Sequence, residues 1–128
     1  MDTWLYIAAL LAFAVGAAHS YLGERYILIR LFRRPDLPHL FGGPEFTVRT
    51  LRFAWHVTTI AWWALAAIFA LVAADAASSS ALLYVLAAAF LATAFIAAVG
   101  SRLKHLSWPL FATIGAIALI AASSPACC

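Results

Sequence analysis

Four long apolar stretches run along the chain, separated by short segments rich in charged residues and turn formers. The stretches cover about residues 4–23, 53–74, 81–100 and 106–122. Each is close to the roughly 20 apolar residues that an α-helix needs to cross a bilayer. The pattern therefore predicts an all-α, polytopic membrane protein, in which residues 1–128 form one domain, a bundle of four transmembrane helices.

Turn-forming residues indicate where these helices end. Three prolines and a Gly-Gly pair predict a loop at about residues 35–44, and the segment AASSS at 76–80 predicts a tight turn between antiparallel second and third helices. No helix breaker separates this loop from the apolar stretches on either side, so both helices are expected to extend past the membrane surface. Residues 24–34 leave two alternatives, a continuation of the first helix or a separate amphipathic helix on the membrane surface.

The first half of the second helix carries a polar stripe. Its members recur every three or four residues, which places them on one face of the helix: Glu45, Arg49, Arg52, His56 and Thr59. His56 already lies in the apolar stretch that enters the membrane. Polar groups inside a bilayer need partners within the protein, so this stripe is where function is expected.

All eight lysine and arginine residues fall on the same side of the predicted membrane. Six surround the first loop and two lie in the turn after the third stretch: Arg25, Arg30, Arg33, Arg34, Arg49, Arg52, Arg102 and Lys104. The other side carries only Asp2 and Asp75. By the positive-inside rule, the basic side faces the cytoplasm and both termini face outward, as expected in a bacterial inner membrane. Anionic lipid head groups are then the expected partners of the arginines.

Composition supports the membrane assignment and excludes other classes. The chain is 66% hydrophobic and 10% charged, with a mean hydropathy of +0.99. Because topology explains the basic residues, the net charge of +3 does not indicate nucleic-acid binding. The first stretch lacks the basic start of a signal peptide and is interpreted as a retained helix. Cys127 and Cys128 are adjacent, which disfavours a disulfide between them and leaves them free, bridging two chains or binding a soft metal.

Three histidines and one acid converge at the basic side of the predicted bundle. His19 and His56 lie at matching depth on successive helices, each roughly 5 Å inside the membrane boundary. His105 lies in the turn before the fourth helix, and Glu24 follows His19 by five residues. Imidazole and carboxylate groups bind transition metals, so the predicted metal ligands are His19, His56, His105 and Glu24. In a straight helix Glu24 lies about 140° around from His19, which counts against all four binding one ion.

Non-covalent haem is the alternative cofactor. His19 and His56 would be its axial ligands, and Arg49 and Arg52 would bind its propionates. Two glycines on the same face leave room beside His19 for a flat macrocycle or a closely packed helix: Gly16 and Gly23.

Two other classes of function stay open. Each polar residue also has a structural role available, since Glu24 can pair with Arg49 or Arg52 and a membrane histidine often serves packing. The protein would then be a cofactor-free scaffold or assembly subunit, as a homo-oligomer or with another membrane protein. A small transporter or an enzyme at the membrane surface is the remaining interpretation, although the sequence has no motif for a particular reaction.

Overall fold

The structure is a computed structural model that describes residues 2–41 and 43–124. Helix α1 (Asp2–Leu22) continues through a π-helical segment, Gly23–Leu28, into a last turn, Ile29–Leu31. It is followed by α2 (Glu45–Ala73), α3 (Ser79–Ser101) and α4 (Ser107–Ser123). The described residues contain no strand, so the predicted all-α class is confirmed. The predicted cysteine chemistry concerns Cys127 and Cys128, which lie outside the described residues.

The ends of the helices follow from the residues found there. Pro44 precedes α2, and its carbonyl accepts the N–H of Val48 at 3.0 Å. Ser78 caps α3, where its hydroxyl accepts the N–H of Ala81 at 3.1 Å. Pro109 lies in the first turn of α4, where a helix needs no amide donor. The predicted loop and turn are therefore both present, within about three residues of the expected bounds.

The first helix does not stop at the predicted membrane surface. It remains helical to Leu31, and the N–H of Phe32 still bonds to the carbonyl of Leu28 at 2.9 Å. Of the two alternatives for residues 24–34, the structure therefore contains the continuation of the first helix. The loop begins at Phe32, three residues before the predicted boundary at Pro35.

Three helices are long and apolar enough to cross a membrane: Thr3–Leu31, Glu45–Ala73 and Ser79–Ser101. Helix α4 is also apolar but has 17 residues. At 1.5 Å per residue it is about 26 Å long, slightly less than a hydrocarbon core of about 30 Å. Membrane association is therefore supported, whereas the fourth crossing and the orientation of the termini stay predictions.

The four helices pack in an open row. Helix α1 contacts α2, α2 contacts α3, and α3 contacts α4, and within the described ranges no other pair of these helices is in contact. Small residues bring the helices of the row close together, with Ala94 and Ala97 buried on α3 and Gly115 of α4 against Leu91. The predicted bundle is thus four helices side by side, not a closed ring.

One end of the row collects the charged residues, and we call it the basic end. It comprises the end of the first helix with its following loop, the start of α2, and the turn between α3 and α4. Glu24 meets Arg52 there, and His105 packs its ring 5.2 Å from that of Phe53. This end therefore positions the polar groups that the sequence singled out.

Candidate functional site

The contact between α1 and α2 is held by three side-chain donors on α2. Each donates to a backbone carbonyl of α1: Trp55 Nε1 to His19 at 3.1 Å, Thr59 Oγ1 to Gly16 at 3.2 Å and Trp63 Nε1 to Phe13 at 3.2 Å. The donors are spaced by four residues and the acceptors by three, so one bond forms at each helical turn. Since a bilayer offers no water to these donors, the bonds fix the register of the two helices.

Two glycines, Gly16 of α1 and Gly23 at the start of the π-helical segment, make room for the tryptophans. A Cβ atom at Gly23 would lie 2.6 Å from Cζ2 of Trp55 and nearer still to its Nε1. A Cβ atom at Gly16 would lie 3.0 Å from the indole of Trp63. The space that the sequence suggested for a macrocycle beside His19 is therefore occupied by indole rings, and the closely packed helix is the alternative that the structure contains.

His19 is held by groups of α2 on one flank of this contact. Its ring stacks on Trp55 with centroids 4.6 Å apart and planes 6° apart. Its Nε2 lies 2.9 Å from the hydroxyl oxygen of Thr58. His19 therefore has a packing partner and a hydrogen-bonding partner that differ from those of His56.

His56 belongs to a charged cluster at the basic end. Arg52 Nη2 lies 3.1 Å from Glu24 Oε1, and His56 Nε2 lies 3.5 Å from Glu24 Oε2. The guanidinium of Arg52 also lies over the ring of Phe32, 5.0 Å from its centroid. We call Glu24, Arg52 and His56 the charged cluster; the three side chains are between 30% and 46% exposed.

A chain of hydrogen bonds runs from this cluster into the helix contact. Thr59 donates its one hydroxyl proton to the Gly16 carbonyl, so it accepts from Ser20 at 2.7 Å. Ser20 has then used its own proton and accepts from His56 Nδ1, also at 2.7 Å. His56 Nε2 lies 3.5 Å from Glu24 Oε2, a buried oxygen with no hydrogen-bond partner among the described residues.

Arg52 and His56 therefore share the single carboxylate of Glu24 in this cluster.

A groove beside the cluster opens between α2 and α3. Its volume is about 440 Å³. Three polar side chains of α2 line one part of it: Arg49, Arg52 and His56. The rest of the lining is apolar and comprises Phe53 of α2 with Phe95, Ile96, Val99 and Gly100 of α3. The acid nearest to Arg49 is Glu45, 3.4 Å away, whose side chain is 79% exposed and therefore strongly screened by solvent. The groove is thus cationic at one end and apolar along its walls.

The remaining predicted site residues lie apart from this groove. His105 packs between Phe46 and Phe53, and its Nδ1 accepts the N–H of Ser107, the first residue of α4, at 3.2 Å. The structure therefore brings Glu24, Arg52 and His56 together but gives His19 and His105 other partners.

No metal site with three protein ligands is evident in the described part of the chain. Within residues 2–41 and 43–124, no group of three or more histidine, cysteine, aspartate or glutamate side chains is placed to hold a metal ion. The binding of a transition metal or haem therefore stays a prediction.

Sequence reasoning missed two parts of the site. Ser20 was passed over, although it lies four residues before Glu24 and so on the same helical face. Phe95 and Val99 carry no polar signal, and their part in the groove depends on how α3 packs against α2.

Comparisons with protein families, curated proteins and solved structures find no match for this chain.

Proposed function

We propose that this protein binds an anionic amphiphile at the basic end of its helix row. The head group, a phosphate or a chemically similar anion, binds Arg49, Arg52 and His56 in the groove between α2 and α3. The apolar chain lies against Phe95 and its neighbours on α3. The observation that carries the proposal is the groove itself, which joins cationic side chains to apolar walls in one cavity of about 440 Å³.

Charge favours an anion over other head groups. Of the residues that the structure describes, no acid lines the groove. Glu24, outside it, is shared by Arg52 and His56, and the Glu45 partner of Arg49 is largely exposed. An entering phosphate would therefore find donors that the protein's own acids do not fully satisfy. Hydrogen bonds between charged partners contribute about 1.5–3 kcal/mol each, and the apolar surroundings reduce competition from water.

The position of the groove fits an amphiphile better than a soluble anion. Phe95 is 69% exposed, on a helix long and apolar enough to cross a membrane, so the groove is open to the bilayer. With the positive-inside orientation that the sequence predicts, the head groups of the inner leaflet lie at its cationic end. The proposal thus includes an inner bacterial membrane, with the basic end in the cytoplasm.

The transition-metal or haem interpretation has weaker support. It would rest on Glu24 and His56, whose Nδ1 already bonds to Ser20. His19 would have to leave its stack on Trp55 to join them. Anion binding in the groove does not require His19 to leave its stack on Trp55.

Native mass spectrometry of the purified protein tests the proposal. The probe is an equimolar mixture of phosphatidic acid and phosphatidylcholine, added to the protein in a neutral detergent. We expect one bound phosphatidic acid in preference to phosphatidylcholine, and we expect Arg52→Gln to remove most of that preference. Arg33→Gln is the matched control, since it removes the same charge from an exposed position outside the groove. Equal binding of both lipids, or equal losses in both variants, would refute the proposal.

A further inference from the structure

The groove adjoins a second cavity that the proposed function does not use. This cavity, of about 350 Å³, lies at the basic end between the loop before α2 and the turn after α3. Arg49 lines both cavities, and Gly100 of the groove is followed directly by Ser101 of the second cavity. The two cavities therefore meet at Arg49.

The second cavity is also cationic. Arg102 and Lys104 line it together with Arg49, and the carboxylate in its lining is Glu45. Glu45 pairs with Arg49, and neither Arg102 nor Lys104 forms an ion pair with an acid in the described part of the chain. A negatively charged group of matching size would supply the partner that these two cations lack.

The turn that presents these two cations is conformationally costly. Arg102 and Leu103 adopt left-handed backbone conformations, with φ of 51° and 63°, a region in which glycine is preferred. The turn is closed by bonds from the N–H of Arg102 to Val99 at 3.1 Å and from the N–H of Leu103 to Ala98 at 2.8 Å.

We infer that the amphiphile carries two linked phosphates, that is, a lipid diphosphate. One phosphate binds Arg52 and His56 in the groove, the second binds Arg102 and Lys104 in the adjoining cavity, and Arg49 contacts both. This inference rests on the proposed function, because it extends the head-group site of the same ligand. A monophosphate lipid would occupy the groove and leave the second cavity without an anion.

Three probes separate the possible ligands: farnesyl diphosphate, farnesyl monophosphate and inorganic diphosphate. Each is titrated into the full chain in neutral detergent, and dissociation constants are measured by isothermal titration calorimetry. We expect the lipid diphosphate to bind about tenfold more tightly than the monophosphate, the effect of about one added charge-assisted hydrogen bond. Inorganic diphosphate should bind more weakly than both, because it lacks the chain.

Variants locate the second phosphate. In Arg102→Gln with Lys104→Gln, the preference for diphosphate should fall below about threefold, while the monophosphate affinity stays within about twofold of wild type. The matched control, Arg30→Gln with Arg33→Gln, removes the same charge elsewhere and should retain the preference. If the double variant fails to fold, Lys104→Gln alone replaces it, because Lys104 lies outside the left-handed positions; it should lose part of the preference for diphosphate.

The outcomes also separate this inference from the proposed function. Equal affinities for both farnesyl phosphates, with Arg52→Gln weakening both, would overturn the diphosphate inference and leave the groove site intact. Absence of binding by either lipid would refute both proposals. Binding of inorganic diphosphate as tight as that of farnesyl diphosphate would overturn the lipid assignment and indicate a site for a soluble anion.

Discussion

The substitution Gly23→Ala tests the close contact between α1 and α2. The added Cβ would overlap the indole of Trp55, lying 2.6 Å from its Cζ2. That ring has little freedom to move, because it stacks on His19 and its Nε1 donates to the His19 carbonyl at 3.1 Å. The substitution should therefore displace the ring and weaken the bond and the stack together.

The expected loss of stability follows from three contributions. Overpacking costs about 1–3 kcal/mol, and the weakened hydrogen bond inside a membrane protein costs about 0.6–2 kcal/mol. Replacing glycine by alanine in a helix gains about 1 kcal/mol in the opposite direction. The free energy of unfolding should consequently fall by about 2 kcal/mol.

Reversible unfolding in mixed micelles, followed by tryptophan fluorescence, measures this change. Gly43→Ala is the control, since no atom lies within 4 Å of its added Cβ, and its stability should match wild type. Combining Gly23→Ala with Trp55→Val should cost less than the two changes added together, because the smaller side chain removes the overlap. A Gly23→Ala protein as stable as wild type, or strictly additive effects, would refute the described packing.

Three further predictions concern other polar groups. Thr59→Val should lower the free energy of unfolding by about 0.6–2 kcal/mol, because it interrupts the chain of hydrogen bonds from His56 to the Gly16 carbonyl. Thr113→Val, at an exposed site, should have little effect in the same unfolding assay. His105→Phe should lower the free energy of unfolding by about 1 kcal/mol because the N–H of Ser107 loses its acceptor, and His105→Asn should recover part of this loss. Hydrogen bonding to Arg34 lowers the pKa of the Asp36 carboxyl, so this pair favours folding above the ordinary aspartate pKa and stops doing so as the pH falls through the lowered value. Because both groups are fully exposed, solvent screens this contribution almost completely, and Asp36→Asn should leave the measured pH dependence of the melting temperature unchanged.

Helix positions could be predicted from the sequence because the signals are local. Apolar length, the prolines around residues 35–44 and the serines at 78–80 act within a few residues of the ends they define. The open row could not be predicted in this way. Since lipid and protein interiors are equally apolar, a helix face that contacts lipid has the same pattern as one that contacts another helix.

The site was predicted in part for a similar reason. Helical spacing placed Arg52 and His56 on one face, and of the two expected partners of Glu24, Arg49 and Arg52, the structure has Arg52. The predicted pairing of His56 with His19 depended on depth alone. Depth does not determine which side of a partner helix a residue contacts. Trp55 packs against Gly23 and stacks on His19, so His19 lies on the opposite side of the α1–α2 contact from His56.

Site-specific photo-cross-linking would locate the bound lipid. A benzophenone amino acid replaces Phe95, which lines the groove, in one variant and Phe69, an exposed residue of α2 outside the groove, in a second. Both variants are reconstituted into bilayers of phosphatidylcholine with a minor share of phosphatidic acid. We predict that cross-links at position 95 are enriched in phosphatidic acid over its share of the bilayer and that Arg52→Gln removes this enrichment. Cross-links at position 69 should match the bulk composition. The same lipid ratio at both positions would contradict an anionic amphiphile in the groove.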